Sequence, residues 1–228
     1  MTLSPLEWQI LGTSFHIALL ALLWSLPVAI ACAFLLSRRF PGRIALDGLV
    51  HLPVILPPVL MGFFLLLLFG RRGPIGAFLD QVLGIRLVFT SEGAALATAV
   101  MIFPLLVRAI RIAFEAMDAR LLEAASVLRA GPMERFFTIA LPLAGPGILA
   151  GAVTAFAAGM GEFGAVITFA ANIPGETQTL PLAIYAALQR PGGEADALRL
   201  AGFSLTLAML GLIGAELLQR WMLKRLRG

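Results

Sequence analysis

Lysine is almost missing from this chain. Lys224, close to the C-terminal glycine, is the whole supply. A Walker-type phosphate loop needs a lysine directly behind a glycine-rich turn, so the chain has no nucleotide engine of that kind. Histidine is nearly as scarce. His16 and His51 lie far apart with no HExxH helix, which removes the usual metallohydrolase arrangements. There is no GxSxG elbow. The single cysteine, Cys32, excludes an intrachain disulfide or a cysteine metal site and reads as a small buried hydrophobe. Charge is thin too. Asp, Glu, Lys and Arg make up 13 % of the residues, where a soluble domain carries about 25 %.

What fills the space is apolar. The 228 residues are 60 % hydrophobic, with a mean hydropathy of +0.95. Such a composition belongs to an integral membrane protein, here all-α, and the chain has room for five transmembrane helices, six being possible. The expected spans are 9–36, 49–70, 93–112, 143–161 and 198–218. Residues 1–8 carry Glu7 and no basic run, so the first apolar segment is expected to stay as a span. His16, near its start, reads as an interfacial residue, and Pro27 as a kink. Pro53, Pro57 and Pro58 punctuate the second span. Freed backbone carbonyls are tolerated in a membrane where protein or a water-filled cavity meets them, so Pro57 and Pro58 either line a path or kink a packing helix. Ser91-Glu92 reads as the cap of the third span. The fourth, with Gly147, Gly151 and Gly159 among many alanines, suits close helix approach. Residues 162–196 read as short helices partly re-entrant in the membrane.

Between the third and fourth spans the character changes. Leu121, Ala124, Ala125 and Leu128 recur at helical spacing, while Arg120, Glu123 and Ser126 fall on another face. Asp118 is a candidate N-cap and Gly131-Pro132 a candidate stop. The predicted helix, about 118–131, is too short to span a bilayer. It must lie on the membrane or dock on something soluble. The net charge of +4 is an orientation signal rather than nucleic-acid affinity. Basic segments 37–43, 108–135 and 220–228 share one side if there are five spans, the N-terminus lies outside and the C-terminus is cytoplasmic. The short helix is then cytoplasmic. Ionisable residues are nearly absent from mid-span, which argues against an ion-coupled secondary transporter.

A resemblance enters at this helix. Glu123-Ala124-Ala125, Ala130-Gly131 and Ile139-x-Leu141-Pro142 resemble the EAA loop of permease subunits of bacterial ABC importers, a type I importer fold. The resemblance implies that the helix docks on a cytoplasmic ATPase and transmits its closure, with Glu123, Ala124, Ala125, Arg129 and Gly131 as coupling residues. Arg129 stands where the family usually has glycine. FPGR at 40–43, HLPVILPPVLMG at 51–62, FGRRGPIG at 69–76, GEFGA at 161–165 and NIPGETQTLPLAIY at 172–185 look like molybdate permeases. EFGA within it is also similar to sulfate permeases, while NIPGET leans toward molybdate, so sulfate or thiosulfate stays as the alternative.

The resemblance implies a single permease domain over 1–228 in the bacterial inner membrane that is not itself an enzyme. It would hold no cofactor, since ATP and Mg²⁺ belong to the partner. The implied assembly is a homodimer, because a subunit pair encloses the path, with two ATPases, a periplasmic molybdate-binding protein and surrounding lipid. Site expectations follow. Arg71 and Arg72 would guide an anion at the outer mouth, anchor a helix end, or meet the acidic rim of the binding protein. Glu162 would close a gate against an arginine of the dimer mate, or be a plain interfacial acid. Asn172, Thr177 and Thr179 are neutral donors suited to an oxyanion.

Overall fold

Ser4 opens the first helix with a reciprocal cap: its amide donates to the Glu7 carboxylate at 2.7 Å, and the Glu7 amide donates to its hydroxyl at 3.3 Å. The computed structural model describes residues 4–227, with side chains as far as Leu217 apart from Ala119, Ala215 and Glu216. The basic tail of Arg220, Lys224, Arg225 and Arg227 therefore lies outside the described side chains. Every regular element among the described residues is helical. In order they are α1 Pro5–Leu36, α2 Arg43–Ile55, α3 Pro58–Phe69, α4 Pro74–Phe78, α5 Ser91–Glu115 and α6 Ala119–Val127, then α7 Pro132–Arg135, α8 Leu141–Met160, α9 Gly164–Phe169, α10 Leu180–Leu188 and α11 Glu194–Arg227. Two π-helical turns, Leu79–Leu83 and Phe136–Ala140, extend α4 and join α7 to α8.

Five helical stretches are long and apolar enough to cross a membrane: Pro5–Leu36, Pro58–Leu83, Ser91–Glu115, Pro132–Met160 and Glu194–Gly214. The chain is thus an all-α multi-span protein. Several boundaries differ from the sequence reading. The span placed at 49–70 is two helices, because Pro57 and Pro58 interrupt the backbone ladder after α2. α3 alone reaches only about 18 Å, short of the ~30 Å hydrocarbon core, and its apolar stretch continues through a turn into α4. The span placed at 143–161 begins at Pro132 instead. Pro142 does not break it, since the π turn before it bonds the Leu141 amide to the Phe136 carbonyl and absorbs the change of register. The third span is capped by Thr90, whose hydroxyl accepts from the Gly93 amide at 3.1 Å; Ser91 is the first helical residue.

α5 is the centre. Its Ala94, Ala95, Ala97, Leu106, Val107 and Ile110 are wholly buried, with α1 and α8 along its sides. Without a hydrophobic drive between helices in lipid, contact comes from close van der Waals fit. The seam with α8 supplies it. A Cβ on Gly147 would collide with Ala113, one on Gly151 would stand 2.9 Å from the Ala109 methyl, and one on Gly159 3.1 Å from Thr98. A polar tie spans the chain's length: the Leu180 amide donates to Ser14 Oγ at 2.7 Å, and Ser14 donates to the Ile10 carbonyl.

Candidate functional site

α6 is built as a rigid projection. Asp118 caps it, accepting from the Arg120 amide at 2.9 Å. At the other end the Arg129 amide donates to the Ser126 carbonyl and the Ala130 amide to the Ala125 carbonyl, the paired bonds of a Schellman stop. The αL residue such a stop requires is Arg129, at φ +62°, where glycine is the unstrained choice. The helix therefore ends at Val127, not at Gly131. Gly131 instead begins α7, its amide donating to the Glu134 carboxylate at 3.3 Å.

The buried face of α6 also differs from the expected stripe. Ala125 is buried and Leu122 packs against the core, and the Leu122 carbonyl accepts from Arg135 at 3.4 Å. Beneath them Phe34, Phe114 and Phe136 meet edge to face, with centroids 5.2 and 4.6 Å from Phe34, so α1, α5 and the start of the fourth long stretch converge under the helix. Leu121, Glu123 and Ala124 are exposed, and Val127 and Leu128 are each 82 % exposed. The apolar stripe faces away from its own subunit.

Next to this projection lies an ion cluster that periodicity could not reveal. Arg111 of α5 reaches Asp47 of α2 at 3.0 Å and Glu115 at 2.8 Å. Arg43 reaches the same Glu115 at 3.0 Å, and His51 Nδ1 lies 3.2 Å from Asp47. In the sequence Arg111 and Glu115 stand one turn apart at the end of a span, a pattern that by itself indicates only a helix leaving the membrane. The one signal of a partner was Asp47 and His51, four apart in an apolar helix.

The candidate path residues fall into two groups. Pro58 and Glu162 come together: α3 packs on α9 so closely that a Cβ on Gly164 would stand 2.6 Å from the Pro58 ring, and one on Gly62 2.7 Å from the Ala165 carbonyl. Pro57 lies at the break beside them. Glu162 accepts from the Ala165 amide at 3.0 Å, so its carboxylate sits on the first turn of α9. The remaining donors lie in the loop before α10. Thr177 is fully buried and spent locally, donating to the Ala171 carbonyl at 3.1 Å and accepting from the Ile173 amide at 3.0 Å. Thr179 is buried, with no hydrogen-bond partner at its hydroxyl. Asn172 donates to the Leu182 carbonyl at 3.3 Å, has a free Oδ1, and lines a cleft of about 820 Å³ beside Gln178, Gln189 and Arg190. Arg71 stands 3.9 Å from Asp80, which Arg86 holds more closely at 2.8 Å, and Arg72 is exposed. The structure does not bring Arg71 and Arg72 together with Glu162. Among the described residues no cluster of three His, Cys, Asp or Glu side chains is arranged to hold a metal.

Residues 25–228 match the family described as binding-protein-dependent transport system inner membrane component. The chain is 52 % identical to the molybdenum transport system permease protein ModB of Escherichia coli K12, over 96 % of each chain, and 47 % identical to that of Haemophilus influenzae, over 97 % of each. Among solved structures, a bacterial alginate ABC transporter in complex with an alginate-bound periplasmic protein superposes with a TM-score of 0.77 at 16 % identity, covering 96 % of this chain and 80 % of that one. The inward-facing MetNI methionine ABC transporter superposes with a TM-score of 0.73 at 15 % identity, covering 97 % and 99 %. Both superpositions show a shared fold. With the family match and the identities above, this chain belongs to the inner-membrane permeases of binding-protein-dependent ABC importers.

Proposed function

We propose that the chain is the permease subunit of an ATP-driven molybdate importer, taking tungstate as well, and that it works as a homodimer with two cytoplasmic ATPases and a periplasmic oxyanion-binding protein. The observation that carries the coupling role is α6. It is capped at both ends and anchored through Leu122 and Ala125, and its apolar face of Leu121, Ala124, Val127 and Leu128 is turned outward around Glu123. A chain without a phosphate loop needs such a contact to receive work from a partner. The molybdenum-transport names of the relatives support the choice of anion. The basic segments 37–43, 108–135 and 220–228 support an outside N-terminus and a cytoplasmic C-terminus.

In this reading ATP binding draws the two ATPases together, the docked α6 helices follow, and the cavity between the two permeases turns outward. Hydrolysis resets it inward. Asn172, Gln178, Gln189 and Arg190 offer donors to the entering anion, and Arg71 and Arg72 add positive potential at the outer mouth. Pro57, Pro58 and Glu162 sit where the path narrows.

The test is uptake in proteoliposomes holding permease, ATPase and binding protein. Labelled molybdate should enter only with ATP. Excess tungstate should compete and excess sulfate should not; preferred uptake of sulfate would replace the anion assignment. Permease alone under an ion gradient should accumulate nothing, and accumulation would overturn the ABC role. Glu123→Arg should leave ATP hydrolysis running while uptake falls at least tenfold, and full uptake by that variant would sink the coupling assignment.

A further inference from the structure

α2 leans on α5 and barely meets α1. A groove of about 470 Å³ opens between the three helices, with Trp24 and Cys32 of α1 facing Leu46 and Pro53 of α2 over a floor of Ala99 and Phe103 from α5. The hydroxyl at that floor, Ser25, is already occupied, donating to the Ala21 carbonyl at 2.6 Å. The groove therefore offers a ligand hydrocarbon contact and almost nothing else.

Its length and its two ends are set by the helices. From Trp24 to Cys32 is about 12 Å of helix. α1 and α5 run against α2, so Cys32, Leu46 and Phe103 share one end. Just beyond that end lie two arginines. Arg43 precedes Leu46 by one turn on the same stripe of α2, and Arg39 stands in the connection from α1. Arg39 is exposed and makes no ion pair among the described residues, while Arg43 shares Glu115 with Arg111. A slot of hydrocarbon that closes on cationic groups is complementary to an acyl chain ending in a phosphate. A second copy pairing face to face would bring its own Arg39 and Arg43 to the same mouth.

We propose that this groove is a specific site for an anionic phospholipid, with one acyl chain lying between α1 and α2 and its phosphate held by Arg39 and Arg43. The lipid fills the gap that α2 leaves beside α1.

Trp24 is the built-in reporter. The full-length protein with Trp8→Phe and Trp221→Phe, reconstituted in phosphatidylcholine, is titrated with brominated-chain phosphatidylglycerol or brominated-chain phosphatidylcholine. The anionic lipid should quench Trp24 at about a fivefold lower mole fraction for each arginine that engages its phosphate. Arg39→Gln should lower that preference by about fivefold. Ala99→Leu, or Val28→Phe at the rim where Val28 is 59 % exposed, should fill the groove and reduce quenching by the anionic lipid to the level of the zwitterionic one. Equal quenching by the two lipids, or a preference untouched by both the arginine and the filling variants, would overturn the site. High-yield crosslinking of Cys32 between two copies would put a second copy in the groove and overturn it as well.

Discussion

At Arg129 a long side chain occupies backbone space that glycine enters without strain, φ +62°. A left-handed L-residue costs about 1–2 kcal/mol, offset in part by the greater freedom glycine has when unfolded. Arg129→Gly should therefore stabilise the end of α6 by about 1 kcal/mol, read as roughly fivefold slower hydrogen exchange at the Arg129 and Ala130 amides. Arg129 keeps the backbone shape of the family's usual glycine, so the substitution changes the side chain offered at that corner and not the path of the chain. Ser14 carries a different load. It holds both the Ile10 carbonyl and the Leu180 amide in a buried setting, and Ser14→Ala strands that amide. The cost should be about 1–3 kcal/mol, measured as a lowered unfolding midpoint in detergent, with Ser14→Thr losing less.

At the scale of elements, α6 and the α5–α8 seam respond to substitution in opposite ways. Val127 and Leu128 touch almost nothing of their own subunit, so Val127→Asp with Leu128→Asp should leave permease stability within about 0.5 kcal/mol. Its affinity for the ATPase should fall at least tenfold in a pull-down or binding titration. Gly147→Leu should do the reverse. The collision with Ala113 forces the helices apart at a cost of about 1–3 kcal/mol or more, and the unfolding midpoint should fall whether or not the ATPase is present. These elements also mark what local pattern can disclose. Asp118 and the glycine-rich face of the fourth span were legible because a cap and a small-residue stripe are written within a few residues. The outward turn of Leu121 and Leu128 was not: periodicity finds an apolar face but not what that face looks at. The start of the fourth span, expected at 143, was misplaced for a related reason, since a π turn upstream lets the helix run from Pro132 through Pro142.

The whole molecule is joined by contacts far apart in sequence, and these were the least legible. Asp47 and Arg111 meet across 64 residues, a pairing set by the rotation of two helices about their axes. With their side chains 36 % and 22 % exposed, the pair should show a coupling of no more than about 1 kcal/mol in a double-mutant cycle of Asp47→Asn and Arg111→Gln. A coupling several times larger would mean the cluster is far drier than its exposure indicates. The same separation has a meaning in time. A ribosome adds about 5–20 residues per second, so Asp47 is made about 3–13 s before Arg111 exists. Through that interval α2 has a carboxylate and no clasp on α5, the helix on which α1 and α2 later pack. The first half of the permease therefore waits at the translocon without its central helix, and α2 can take its final rotation only once the end of α5 has emerged.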